Sequence, residues 1–129
     1  MGQEAPRPAP EWKRANVPEL MARLQKDNPS LVSHLFAENE NCTVNLLAPR
    51  ALIPAHYHLN HDEIVFIIRG SGTMRVHQDE FLVQAGDILF IPRKTVHSFS
   101  PSGADVLALS IFVPKFDGKD RIFGETPPP

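Results

Sequence analysis

With Cys42 as its only cysteine, this 129-residue chain has no means of forming an intrachain disulfide, and cysteine usage leaves the redox compartment open. Cys42 is expected to be a small buried hydrophobe. Long apolar runs are also missing. The longest extends from Val106 to Val113 and contains Ser110, far short of the ~18 residues a membrane helix needs, so it reads as a buried strand. No basic stripe is present: 13 Lys and Arg stand against 15 Asp and Glu, a formal charge of −2, which argues against a nucleic-acid partner. The sequence has no nucleotide-type glycine loop, no serine–histidine–acid arrangement and no helix-turn-helix segment. The opening, Gly2 to Pro10, is polar and proline-rich with no apolar core, so it is not a secretory leader. Cytoplasmic localisation is the default expectation, with an exported mature form left open. At this length one domain with a real core is expected.

What is present is concentrated between Pro54 and Gly70, Pro-Ala-His-Tyr-His-Leu-Asn-His-Asp-Glu-Ile-Val-Phe-Ile-Ile-Arg-Gly. His56 and His58 are two apart, so on an extended strand both imidazoles point to one face. Glu63 opens the next run, Ile64 to Ile68, which is β-branched and aromatic enough to form the following strand. Two nitrogens and a carboxylate on adjacent strands are three ligands for a divalent cation. A fourth is proposed in Gly86-Asp-Ile-Leu-Phe-Ile-Pro92-Arg-Lys-Thr-Val-His97: a glycine turn, an apolar strand, a proline and a histidine.

In these residues the chain resembles the cupin family, whose motifs read G-x5-H-x-H-x3,4-E-x6-G and G-x5-P-x-G-x2-H-x3-N. His56, His58, Glu63 and Gly70 match the first, with Arg50 at its opening glycine. Gly86, Pro92 and His97 match the second, with Lys94 at its internal glycine and Pro101 at its final asparagine. Lys94 then stands where the family uses a glycine's freedom at positive φ. The resemblance implies an all-β double-stranded β-helix, or jelly-roll barrel, with its ligands facing inward. It also implies one divalent transition metal on His56, His58, Glu63 and His97. Iron, manganese, nickel, cobalt, copper and zinc all suit such nitrogen and oxygen donors.

Along the chain, residues 1–12 read as a flexible proline-rich arm pinned at its end by Trp12. Asn16-Val-Pro-Glu begins a short helix, with Asn16 as cap, and Val17, Leu20, Met21 and Leu24 form one apolar stripe before Asp27-Asn28-Pro29 ends it. Strands are expected over Leu31–Phe36, Cys42–Leu47, Ala51–His58, Glu63–Arg69, Thr73–His77, Glu80–Val83, Asp87–Ile91, Val96–Ser100 and Asp105–Val113, separated by glycine, asparagine and proline turns. The domain then covers 13–114, with its motifs at 54–70 and 86–97, and 115–129 form a tail. Phe116 and Phe123 suggest that this tail folds back over a mouth or a partner. If Glu63 faces inward, so do Val65 and Ile67, which leaves Ile64, Phe66 and Ile68 on the outer face. Such a row is expected to mark a homodimer interface unless the N-terminal helix covers it.

Thr73, Arg75 and His77 share one strand face and are candidate pocket residues, as are Phe99 and Ser110. Tyr57 alternates with the ligands and points away, and His61 on the turn between them reads as an exposed loop residue. A mostly apolar pocket with one or two cations suits a small, partly apolar anion or carbonyl compound as ligand or substrate. The function expected is a metal-dependent enzyme on a small organic molecule. A dioxygenase-type oxidoreductase is favoured, with isomerase or lyase action next and Glu63 as the catalytic base. The alternative is a non-catalytic cupin that binds a small ligand or metal to sense or sequester it.

Overall fold

The computed structural model describes residues 11–129, so the arm expected over 1–12 lies almost wholly outside the described residues. One helix, α1 (Val17–Asp27), precedes ten strands: β1 (Ser33–Asn39), β2 (Cys42–Leu47), β3 (Ile53–His58), β4 (Asp62–Arg69), β5 (Ser71–Val76), β6 (Asp79–Gln84), β7 (Ile88–Ile91), β8 (His97–Pro101), β9 (Leu107–Val113) and β10 (Arg121–Phe123). They form two five-stranded sheets, ordered β1-β2-β9-β4-β7 and β10-β3-β8-β5-β6. Every pairing is antiparallel. The all-β jelly roll with a short N-terminal helix is therefore as expected. β10 is an addition: Arg-Ile-Phe is too short to announce itself, and it exists because Arg121, Ile122 and Phe123 pair with His58, Tyr57 and His56.

Strand parity places the core. On β4, Glu63, Val65 and Ile67 are buried between the sheets, where Val65 and Ile67 pack with Met74, Val83, Ile91 and Phe99. The opposite face of the same sheet is covered over part of its area by α1. Asn16 Oδ1 accepts the Glu19 amide at 3.1 Å and starts this helix. Met21 then buries against Leu46, Ala48 and Leu107, with Ile68 and Leu109 packed alongside. The outer row therefore divides. Ile68 lies under the helix and Ile64 is half-buried, whereas Phe66 is exposed beside Ile88 and Phe90 of the edge strand β7. The two-sided apolar character of β9 has the same cause, since its outward Leu107 is fully buried by α1.

The turns hold this register. Gly70 has φ of +82°, and a Cβ there would stand 2.8 Å from Asp105 O and 2.9 Å from Val106 Cα, both backbone atoms. No side chain fits where these segments cross. Lys94 has φ of +67° without being glycine, so the strained turn expected from the motif is present. Trp12 is 80% exposed rather than packed on the body as expected, and the arm it would pin lies outside the described residues. Cys42 is half-buried, at a strand end rather than in the core.

Candidate metal centre

Three strands converge at one end of the barrel. β3 delivers His56 and His58, β8 delivers His97 directly opposite His56, and β4 delivers Glu63. All four side chains are buried. The ring centroids of His56 and His97 are 4.3 Å apart, and those of His56 and His58 are 5.2 Å apart. One ring nitrogen from each of the three histidines lies within 4.8 Å of the others, a spacing at which the group could hold a metal ion.

The hydrogen bonds decide which nitrogen faces inward. His56 Nδ1 lies 2.7 Å from Pro54 O, and His97 Nδ1 lies 2.9 Å from Thr95 O. His58 Nδ1 faces the Asp120 carboxylate at 3.4 Å. Each of these partners is an acceptor, so each Nδ1 must carry the proton, and each Nε2 then presents a lone pair to the centre. His58 Nε2 is buried with no hydrogen-bond partner. His97 Nε2 and Glu63 Oε1 face each other at 3.2 Å, and His58 Nε2 lies 4.0 Å from the same oxygen. Lone pairs held this way need a cation among them, a proton or a metal ion. The residues present therefore fit a divalent ion.

Burial lowers the His56 pKa to about 4, partly opposed by its bond to Pro54 and assisted by the neighbouring histidines. Burial also lowers His58. Both rings are then neutral at pH 7, the form that ligates. For Glu63 burial alone would raise the pKa; with a proton on His97 Nε2 as the cation between them, the bond from His97 and the hydroxyl of Ser110, donating to Oε2 at 2.6 Å, bring it below the ordinary carboxylate value.

Above the cluster opens a cavity of about 620 Å³. Its wall is largely apolar, including Val65, Ile67, Met74, Phe99 and Phe112, and among the described residues its only lysine or arginine side chains are Arg50 and Arg121. Phe99 and Ser110 are among the residues that line it. Thr73, Arg75 and His77 do not. On β5 the inward residues are Gly72 and Met74, so Thr73 and Arg75 fall on the other face, where Arg75 pairs with Glu125 at 2.8 Å. His77 sits exposed on the tight turn to β6 with φ of +53°. The polar alternation of that strand marked its outer face, not the pocket.

His61 also departs from expectation. It is 4% exposed, held between Asp120 Oδ2 at 2.5 Å and Lys115 O at 2.8 Å. Its partners come from the tail, which local sequence around the motif does not reveal. Three tail residues matter here: Asp120, buried against His58 and His61; Phe116, stacked on Phe112 at 4.5 Å; and Arg121, whose guanidinium lies 5.6 Å from the Phe116 ring centre. In the sequence, the aromatics Phe116 and Phe123 were the signal that the tail folds back.

Comparison with known proteins bears on this geometry. Residues 44–112 match the family model of the cupin domain. An uncharacterised protein of Aquifex aeolicus is 33% identical over 67 residues, covering 52% of this chain and 55% of that one. An acireductone dioxygenase of Gluconacetobacter diazotrophicus is 35% identical over 75 residues, covering 54% of this chain and 42% of the relative. The chain thus spans about half the length of these curated relatives. Among solved structures, a double-stranded β-helix protein of Klebsiella pneumoniae superposes with a TM-score of 0.70 at 18% identity, covering 90% of this chain and all of that one.

Proposed function

From the premise that this chain belongs to the cupin family, we propose that it is a metal-dependent enzyme acting on a small organic anion. Its ligands in this reading are His56, His58, Glu63 and His97. The observation that carries the proposal is the set of Nδ1 contacts to Pro54, Thr95 and Asp120, which leaves each Nε2 free for the histidine cluster, those of His58 and His97 beside Glu63. Imidazole and carboxylate donors accommodate iron, manganese, nickel, cobalt, copper or zinc. A divalent ion there would polarise a carbonyl or enolate oxygen and, if redox-active, support chemistry with dioxygen.

The chain's own residues define the rest. The apolar wall excludes water and holds a compact hydrocarbon body, while Arg121 and Arg50 offer positive charge to a carboxylate or enolate. Glu63 is the proton acceptor, with Ser110 donating to its second oxygen and fixing its orientation. The dioxygenase type is favoured, supported by the similarity to the acireductone dioxygenase, with isomerase or lyase action next. We also propose a homodimer packed through the exposed Phe66, Ile88 and Phe90.

The test is metal analysis of protein purified without added metal, then oxygen uptake with iron-loaded protein across small carboxylates, enediols and phenols. Oxygen consumption that needs both metal and substrate supports the dioxygenase. Metal-dependent conversion without oxygen supports the isomerase or lyase reading. Tight binding of a small ligand with no conversion of any compound would replace the enzyme by a sensor or sequestering protein.

A further inference from the structure

The C-terminal strand brings one buried acid to the back of the histidine cluster. Asp120 is 5% exposed and has no lysine or arginine partner among the described residues. Its Oδ2 accepts from the Asn60 amide at 2.7 Å and lies 2.5 Å from His61 Nδ1, while Oδ1 faces His58 Nδ1. Its backbone carbonyl accepts from the Leu59 amide at 3.3 Å. Burying a carboxylate is costly unless its oxygens are satisfied. Clamping the turn after β3 accounts for the bonds to Leu59, Asn60 and His61, but not for an oxygen aimed at the imidazole of His58.

We infer that Asp120 is a positioning residue of the metal centre, holding the His58 ring with Nδ1–H turned outward and Nε2 turned toward the ion. The inference rests on the reading of His58 as a ligand. His56 and His97 take their outward acceptors from backbone carbonyls two residues back in the chain. His58 has no such carbonyl contact, and its acceptor comes instead from 62 residues away. Without Asp120 the ring is free to rotate or to carry its proton on Nε2, and either change removes the lone pair from the cluster. His61, bonded to Asp120 on one side and Lys115 O on the other, keeps the carboxylate in place.

The test compares Zn²⁺ affinity, by chelator competition, in the full-length wild type, Asp120→Ala, Asp120→Asn and His58→Ala. Thermal melts of the metal-free proteins and Co²⁺ absorption spectra accompany it. Asp120→Ala is expected to weaken Zn²⁺ binding about 10–100-fold and to shift the Co²⁺ d–d bands. Asp120→Asn, whose amide oxygen still accepts from His58, should recover part of that loss. Unchanged affinity and spectra in the Asp120 variants, with binding lost in His58→Ala, would overturn the positioning role alone. Unchanged affinity in His58→Ala as well would overturn the ligand reading beneath it. Should Asp120→Ala fail to fold, Asp120→Leu, of similar size and without an acceptor, decides: wild-type affinity and spectrum refute the role, and weakened binding supports it.

Discussion

Glu63 makes a contact that a plain ligand does not require: its Oε2 takes a short hydrogen bond from Ser110 while Oε1 faces the histidines. With three imidazoles to anchor an ion, the carboxylate is the donor best able to loosen and accept a proton. Glu63→Gln should therefore keep metal at saturating concentration yet lower turnover by ~100-fold or more, the scale of lost general-base help. Near-wild-type turnover in the metal-loaded variant would reduce Glu63 to a ligand. Lys94 offers a separate check on the backbone. Its side chain is exposed and its φ is +67°, so Lys94→Gly relieves left-handed strain at a small entropic cost. A gain of about 1 kcal/mol, read as a Tm rise of about 2–4 °C, is expected. A fall in Tm would mean that the lysine stem makes a packing contribution outweighing the strain.

At the scale of elements, α1 covers part of the outer face of its sheet, the face opposite to Glu63 and the cavity. Met21 is 1% exposed among Leu46, Ala48 and Leu107, so Met21→Ala should cost about 2–5 kcal/mol while leaving metal content unchanged. Loss of metal in a folded Met21→Ala protein would contradict that separation. The helix was legible because its cap and its i, i+3, i+4, i+7 stripe are local signals. Cys42–Leu47 was legible to the residue, and the other eight expected strands were placed with ends displaced by a few residues. Period-two spacing puts His56 with His58, Glu63 was read from the strand that follows, and His97 joined them through the resemblance to the cupin motifs. Asp120 and His61 were not legible. Their roles follow from pairing between segments some sixty residues apart, and a short Arg-Ile-Phe strand carries no pattern that says which edge it will join. The assignment of Thr73, Arg75 and His77 to the pocket failed for a related reason. Alternation reveals that a strand has two faces, but only the neighbouring strands reveal which one is inside.

For the molecule as a whole, the uncovered apolar strip on the outer sheet face is what remains after α1 has taken its share. Ile88 and Phe90, on an edge strand, are 70% and 63% exposed, next to Phe66. Paired copies would bury this strip, so Phe66→Glu should convert a dimer to monomer or to aggregate in sedimentation velocity runs. A wild-type monomer at micromolar concentration would contradict the pairing.

The proposed function depends on three histidine nitrogens sharing one ion. Metal content per chain measures this directly, in the wild type and in His56→Ala and His97→Ala prepared identically, with circular dichroism confirming that the sheets persist. The expected result is one divalent ion per wild-type chain and no stoichiometric metal in either variant. Full metal content in both folded variants would contradict the ligand set and the metal centre with it.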